Sequence, residues 1–204
     1  MTSVSDKCLQ MFVTASTATL IALTLGLAST GQAADNLIVN GGFETGDTTG
    51  WTYTAAASGG EIRFSSDARV TPHTGSQAVG FGGTGSYDDT ISQILSTTGG
   101  KTYNVDFWLK QTASSGSGDF KVYWNSTLLY SASTMTPFSY TELEYAVTGT
   151  GSDTISFAGR NYQLFYILDD VSVVAVPEPQ GLVNLSILGF GAVCLLRKRL
   201  FHKQ

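Results

Sequence analysis

From residue 34 onward, apolar and polar residues alternate in short runs, and Gly, Ser, Thr, Asn and Asp fill the gaps. A period of two places successive side chains on opposite faces of a strand. The pattern predicts strands at 36–40, 51–56, 61–65, 76–82, 90–96, 101–111, 119–125, 127–131, 139–148, 153–158 and 163–175. Many short strands with turn residues between them indicate an all-β sandwich. Residues 112–118 (TASSGSG) read as a loop within the domain and not as a linker, because strands resume after them.

Three strands show their faces directly. In 101–111, Tyr103, Val105, Phe107 and Leu109 form a core face, which leaves Trp108 on the polar side with Asp106 and Lys110. In 119–125, Phe120, Val122 and Trp124 point to the core and Tyr123 points away. In 139–148, Leu143, Tyr145 and Val147 fit the core, while Tyr140, Glu142 and Glu144 face out. Trp51 and Trp124 read as core anchors.

The two ends have a different texture. Residues 11–28 are apolar or small and uncharged, and Gly31 and Ala33 suit a cut before Ala34. This is the pattern of a secretory signal peptide, residues 1–33. Residues 180–196 are also uncharged and precede Arg197, Lys198 and Arg199. As a helix they would span roughly 26 Å at about 1.5 Å per residue, close to the bilayer core of about 30 Å. The basic cluster belongs on the cytoplasmic side, so the domain would lie outside.

Charge sharpens this partition. The net charge of -5 divides into a domain (34–179) with fifteen acids against six bases, -9, and a tail (180–204) of +4. No Lys/Arg stripe exists for nucleic acid, so no nucleic-acid partner is expected. The two cysteines, Cys8 and Cys194, lie in the leader and the tail. An exported domain without a disulfide relies on its core, alone or with a metal.

Val176-Pro177-Glu178-Pro179, the apolar helix and the Arg-Lys-Arg cluster together resemble the PEP-CTERM sorting signal, residues 176–204. The resemblance implies export, a transient inner-membrane anchor through the C-terminal helix, and recognition by exosortase-type processing machinery. The destination would be the cell surface or extracellular matrix.

Residues 34–175 carry a second resemblance. Asn36-Leu37-Ile38-Val39-Asn40-Gly41-Gly42-Phe43-Glu44 with Gly50-Trp51, then Thr74-Gly75-Ser76-Gln77-Ala78, Tyr103 to Lys110, and Leu168-Asp169-Asp170-Val171-Ser172-Val173 are similar to segments of galactose-binding-like jelly rolls. That group includes carbohydrate-binding modules. The resemblance implies a single jelly-roll β-sandwich. It also implies a structural Ca2+ held by Glu44 with Asp169 or Asp170, and by carbonyls of Gly42, Gly46 and Ser76. Such an all-oxygen set suits calcium. By strand parity Asp169 shares the face of Val171 and Val173, where an inward carboxylate needs a partner. The alternative is that Asp169 caps a turn and Glu44 is solvated.

The exposed aromatics suggest a glycan-binding face built on Trp108 and Tyr123, with Tyr140, Gln111 and Asn125 as polar partners. Sugars offer apolar CH faces to rings and hydroxyls to planar polar groups. The alternative is that these rings cover the sheet beneath a loop. Asp88-Asp89 reads as a solvated turn, and the glycines from Gly80 to Gly85 as turn residues without the lysine or helix of a phosphate loop. His73 is the domain's one histidine, and no Cys or G-x-S-x-G serine is available, so no enzyme is expected. A carboxylate pair among Asp106, Glu142 and Glu144 leaves a glycoside hydrolase as the remote option. The expected role is non-catalytic binding of extracellular polysaccharide. The alternative is a structural or adhesive matrix protein with no sugar site.

Overall fold

The computed structural model describes residues 35–114, 117–133 and 136–177. The proposed signal peptide and the sorting tail from Glu178 onward, with Pro179, Arg197, Lys198 and Arg199, lie outside the described residues. Among the described residues no helix is long and apolar enough to cross a membrane.

Among the described residues ten strands form in chain order. They are β1 (Thr52–Thr54), β2 (Ile62–Phe64), β3 (Val79–Phe81), β4 (Asp89–Ser96) and β5 (Thr102–Gln111), then β6 (Gly118–Trp124), β7 (Thr127–Ala132), β8 (Phe138–Thr148), β9 (Ser152–Asn161) and β10 (Tyr166–Ala175). They make two five-stranded antiparallel sheets. Sheet I has the order β1-β4-β9-β6-β7 and sheet II the order β2-β3-β10-β5-β8. The all-β sandwich of the jelly-roll type is therefore present.

Between the sheets lies the main core, and the alternation in the strands explains it. Tyr103, Val105, Phe107 and Leu109 of β5 face Phe120, Val122 and Trp124 of β6, with Ile155 and Phe157 of β9. The rings interlock at their edges: Phe81 on Phe120 at 5.3 Å and 76°, Phe107 on Phe157 at 5.3 Å and 79°. Each such pair adds about 0.5–1.5 kcal/mol beyond its buried area. At Gly159 a Cβ would stand 2.7 Å from the Phe120 ring, so only glycine lets β9 pass there. Trp51 and Trp124 are buried as expected.

The strand expected at 36–40 is reduced to one bridge, Asn36 to Val174. Side chains take over the ladder's work here. Gln93 bonds both the N–H and the carbonyl of Val39, and the Asn36 amide oxygen accepts from Ile38 and Val173. Asn40 (φ 54°) then turns the chain away.

A second, smaller apolar cluster sits on the outer face of sheet II. Val70 and Ala78 pack over Phe165 and Ile167, with Tyr140 alongside. Burying these side chains fastens residues 65–78 across that face as a strap. The expected turn at Asp88-Asp89 also differs. Asp89 opens β4 fully buried, and it accepts hydrogen bonds from the Tyr53 hydroxyl and the N–H groups of Ala56 and Glu61. A buried carboxylate needs such donors, and only the fold brings them together.

Candidate functional site

The outer face of sheet II is closed where Trp108 stands. The His73 ring stacks on the Trp108 indole at 3.8 Å and 15°, and leans on Tyr140 at 5.0 Å. The Tyr140 hydroxyl donates to the Thr71 carbonyl at 2.8 Å, and Lys110 Nζ to Thr71 Oγ1 at 2.9 Å. Burial, and after it Asp169 and Asp170, push the Tyr140 phenol well above its ordinary range. Trp108 and Tyr140 are thus clamps for the strap. Beside them Asp106 is also pushed up, first by burial and then by Glu142 and Glu144.

At the end of this sheet the strap meets three carboxylates. Glu44 accepts from the N–H groups of Ser76 and Gln77 at 2.9 and 3.1 Å. Asp169 accepts from the N–H groups of His73, Thr74 and Asp170 at 2.7, 3.3 and 2.7 Å. Asp170 bonds His73 Nδ1 at 2.7 Å and the Thr74 hydroxyl at 2.6 Å. A Cβ on Gly42 would lie within 4 Å of the side chains of Glu44, Asp169 and Asp170, and one on Gly75 would strike Glu44. Glycine is required at 75 on both counts, since its φ is +59°. The resemblance placed its calcium here, and the donor chemistry fits. Asp169 is fully buried with backbone N–H partners and no basic side chain among them. Burial, with a smaller push from Asp170, raises its carboxyl to about 6. The Gln77 amide oxygen, next to Gly46, is buried without a hydrogen-bond partner. Among the described residues no group of three or more His, Cys, Asp or Glu side chains is gathered as a metal site. A Ca2+ here would rest on Glu44 and Asp169 with amide or carbonyl oxygens.

Asp169 does not share a face with Val171 and Val173. It pairs with Trp108, and a bulge between Asp169 and Ser172 inserts one residue before Val173 returns opposite Val105. Asp170 takes φ 49° to make the bulge. That extra residue reverses the parity, so Asp169 stands on the outer side and is buried by the strap.

Among its described residues the outer face of sheet I carries the exposed Leu128 and Ile94, while Ala158 on β9 is buried. The sheet's registers run in rows. Leu128, Tyr123, Ser156, Ser92 and Thr52 lie side by side, and Ser131, Lys121, Ala158, Thr90 and Thr54 form the next row. Thr154 and Ile94 pair beyond them. Small residues on β9 therefore floor a trough. Tyr123 and Leu128 wall one side and Ile94 the other, with Leu128 51% and Ile94 74% exposed. β6 and β4 are two strands apart and Ile94 stands one row beyond Tyr123, so their backbones lie about 12 Å from each other.

One end of the trough holds four charges. Lys121 Nζ lies 2.9 Å from Asp88 and 2.7 Å from Asp119, and Arg160 Nη1 lies 2.8 and 3.1 Å from the same two. Arg160 also bonds the Ser86 carbonyl at 3.2 Å, tying down the preceding loop. Burial opposes ionisation of both carboxyls. In Asp88 the contacts with Lys121 and Arg160 outweigh it and lower the pKa. In Asp119 burial and the neighbouring Asp88 raise it.

The predicted glycan residues are therefore divided. Trp108 and Tyr140 belong to sheet II and Tyr123 to sheet I, so they cannot form one face. Gln111 is buried at the inner end of β5. Asn125 sits in the β6–β7 turn with φ 53°, its amide bonded to Asp153 and to the Thr154 N–H. Sequence reasoning missed Ser156, Ile94, Lys121, Arg160 and Gln77. Only the alternation in β9 and β4 hinted at the first two, and nothing local marked which sheet they shared with Tyr123.

Two five-stranded antiparallel sheets packed around one core define a β-sandwich of the jelly-roll type. The model of a carbohydrate binding domain family (CBM 4/9) matches residues 35–154. The chain belongs to this family. No curated protein matches it. Among solved structures it is similar to TmCBM61 in complex with β-1,4-galactotriose, with TM-score 0.51, 18% identity, and coverage of 70% of this chain and 100% of that one. It is also similar to a cleaved adhesin domain of Lys-gingipain from Porphyromonas gingivalis, with TM-score 0.52, 16% identity, and 67% and 96% coverage. A third is the tandem CBM22-1–CBM22-2 domain of Paenibacillus barcinonensis Xyn10C, with TM-score 0.50, 19% identity, and 76% and 49% coverage. At these identities the similarity is one of fold.

Proposed function

We propose that this domain binds an extracellular polysaccharide along the trough of sheet I, without catalysis, on a protein exported to the cell surface or matrix. The observation that carries the site is the contrast between the faces. His73 occupies the Trp108 ring, whereas Tyr123, Leu128 and Ile94 flank an uncharged floor. Tyr123 supplies the ring for a sugar's CH face, and Ser156, Ser92 and Thr90 supply hydroxyl partners. The galactotriose bound by TmCBM61 supports a neutral glycan as the ligand class. Affinity electrophoresis of the purified protein through neutral polysaccharides tests this reading. Retardation that is markedly reduced in Tyr123→Ala is expected. A purely structural or adhesive role predicts no retardation at all.

A calcium ion between Glu44 and Asp169, with the Gln77 amide and carbonyls of Gly42, Gly46 or Ser76, would neutralise the buried carboxylate and pin the strap. Its task there is structural. Export would use the leader 1–33 and the PEP-CTERM-like segment from Val176, with exosortase-type processing at the inner membrane. Replacing Pro177 and Pro179 by Ala should leave the unprocessed chain in the membrane fraction. Unchanged processing would exclude this route.

A further inference from the structure

The domain 34–179 carries -9, yet the outer face of sheet I sums to zero. Among the described residues of that face, the charged side chains are Asp88, Asp119, Lys121 and Arg160. Each cation reaches both carboxylates within 3.1 Å, and all four side chains are only 15–28% exposed. A cluster this closely balanced offers a charged sugar no net attraction. Any uronate that nears Lys121 or Arg160 also nears Asp88 and Asp119, and any aminosugar meets the reverse. Partial burial makes that repulsion count, since solvent screens it less than on an open surface.

We infer that the Asp88–Asp119–Lys121–Arg160 cluster is the specificity element of the trough. It restricts the site to uncharged sugars, and loss of one member re-targets the site to polymers of the opposite sign. The inference rests on the trough reading above. Removing Lys121 leaves two carboxylates facing one guanidinium, a net -1 that favours polycations. Removing the Asp119 charge leaves two cations facing Asp88, a net +1 that favours polyanions. A specificity set by balance fails in a direction fixed by the charge removed, whereas a purely structural staple would lose stability with no new preference.

The test uses the whole purified protein and two variants, Lys121→Met and Asp119→Asn. The probes are a neutral galactan, polygalacturonate and chitosan. Wild type should be retarded by the galactan and by neither charged polymer. Lys121→Met should gain chitosan binding and Asp119→Asn polygalacturonate binding, each roughly tenfold over wild type and lost at about 0.5 M salt, where the screening length is a few ångströms. If both variants melt cooperatively and gain neither polymer, the cluster does not set specificity. Wild-type binding to a charged polymer that Tyr123→Ala abolishes overturns the inference and leaves the trough standing. Wild type that binds no polymer sinks the trough reading and the inference with it, whereas wild-type galactan binding without a gain in either variant sinks the inference alone. Should either variant fail to fold, Lys121→Gln and Asp88→Asn carry the same signs.

Discussion

The His73 imidazole lies flat on the Trp108 indole, 3.8 Å away, and its Nδ1 reaches Asp170 at 2.7 Å. One side chain thereby joins the aromatic on β5 to the bulge in β10. It converts what looks in sequence like a sugar platform into the seat of a strap. Trp108→Ala should therefore cost stability and not affinity. The indole is only partly buried, so a loss of about 1–3 kcal/mol is expected, below the 3–5 of a full core truncation. Chemical denaturation measures the loss, and galactan retardation of the folded variant should match wild type. Lost binding without lost stability would return Trp108 to the binding site.

Tyr123 should behave the other way round. It stands on the trough wall beside Leu128 and opposite Ser156. Tyr123→Ala should weaken glycan binding about tenfold, near 1.4 kcal/mol, while the melting temperature moves little. Calorimetric titration with the glycan found by electrophoresis reads the first effect.

Acid stability should depend on Asp153. Burial alone would raise its carboxyl. Donors from Thr97, Asn125 and the backbone and hydroxyl of Thr150 outweigh burial and hold it at about 2. A carboxyl depressed in the folded state stabilises above its ordinary value of 3.8, and that stabilisation disappears as the pH falls through about 2. The contribution is about 2 kcal/mol. Denaturation midpoints measured from pH 5 to pH 2 should fall in wild type and flatten in Asp153→Asn. Equal slopes in the two proteins would show that Asp153 is not the titrating group.

Calcium should act through the strap. Addition of Ca2+ should raise the melting temperature and EDTA should reverse the rise, because an ion that binds only the folded state stabilises it by mass action. Glu44→Gln should abolish the shift. A melting curve indifferent to both Ca2+ and EDTA would mean that the backbone donors from residues 73–77 close this end unaided.

The sequence by itself determined most of the strands and most of their faces, though not the absence of a strand at 36–40. Alternation at Tyr103, Val105, Phe107 and Leu109 is a local property, and it placed Trp108, Tyr123 and Tyr140 outward without any knowledge of partners. It also brought Glu44 and Asp169 together in expectation, through a resemblance, and the structure sets both beside Gly42. Three things lay beyond it. β5 and β6 are consecutive in the chain yet belong to different sheets, which carries Trp108 and Tyr123 to different layers. The bulge at Asp169–Ser172 reverses a parity that counting assumes constant. The cover on Trp108 comes from His73, whose backbone is held by a carboxylate 96 residues away. Periodicity records how each residue alternates along its own strand. Which sheet a strand joins, and what lies over its outer face, depends on packing between distant segments, and only the tertiary structure decides that.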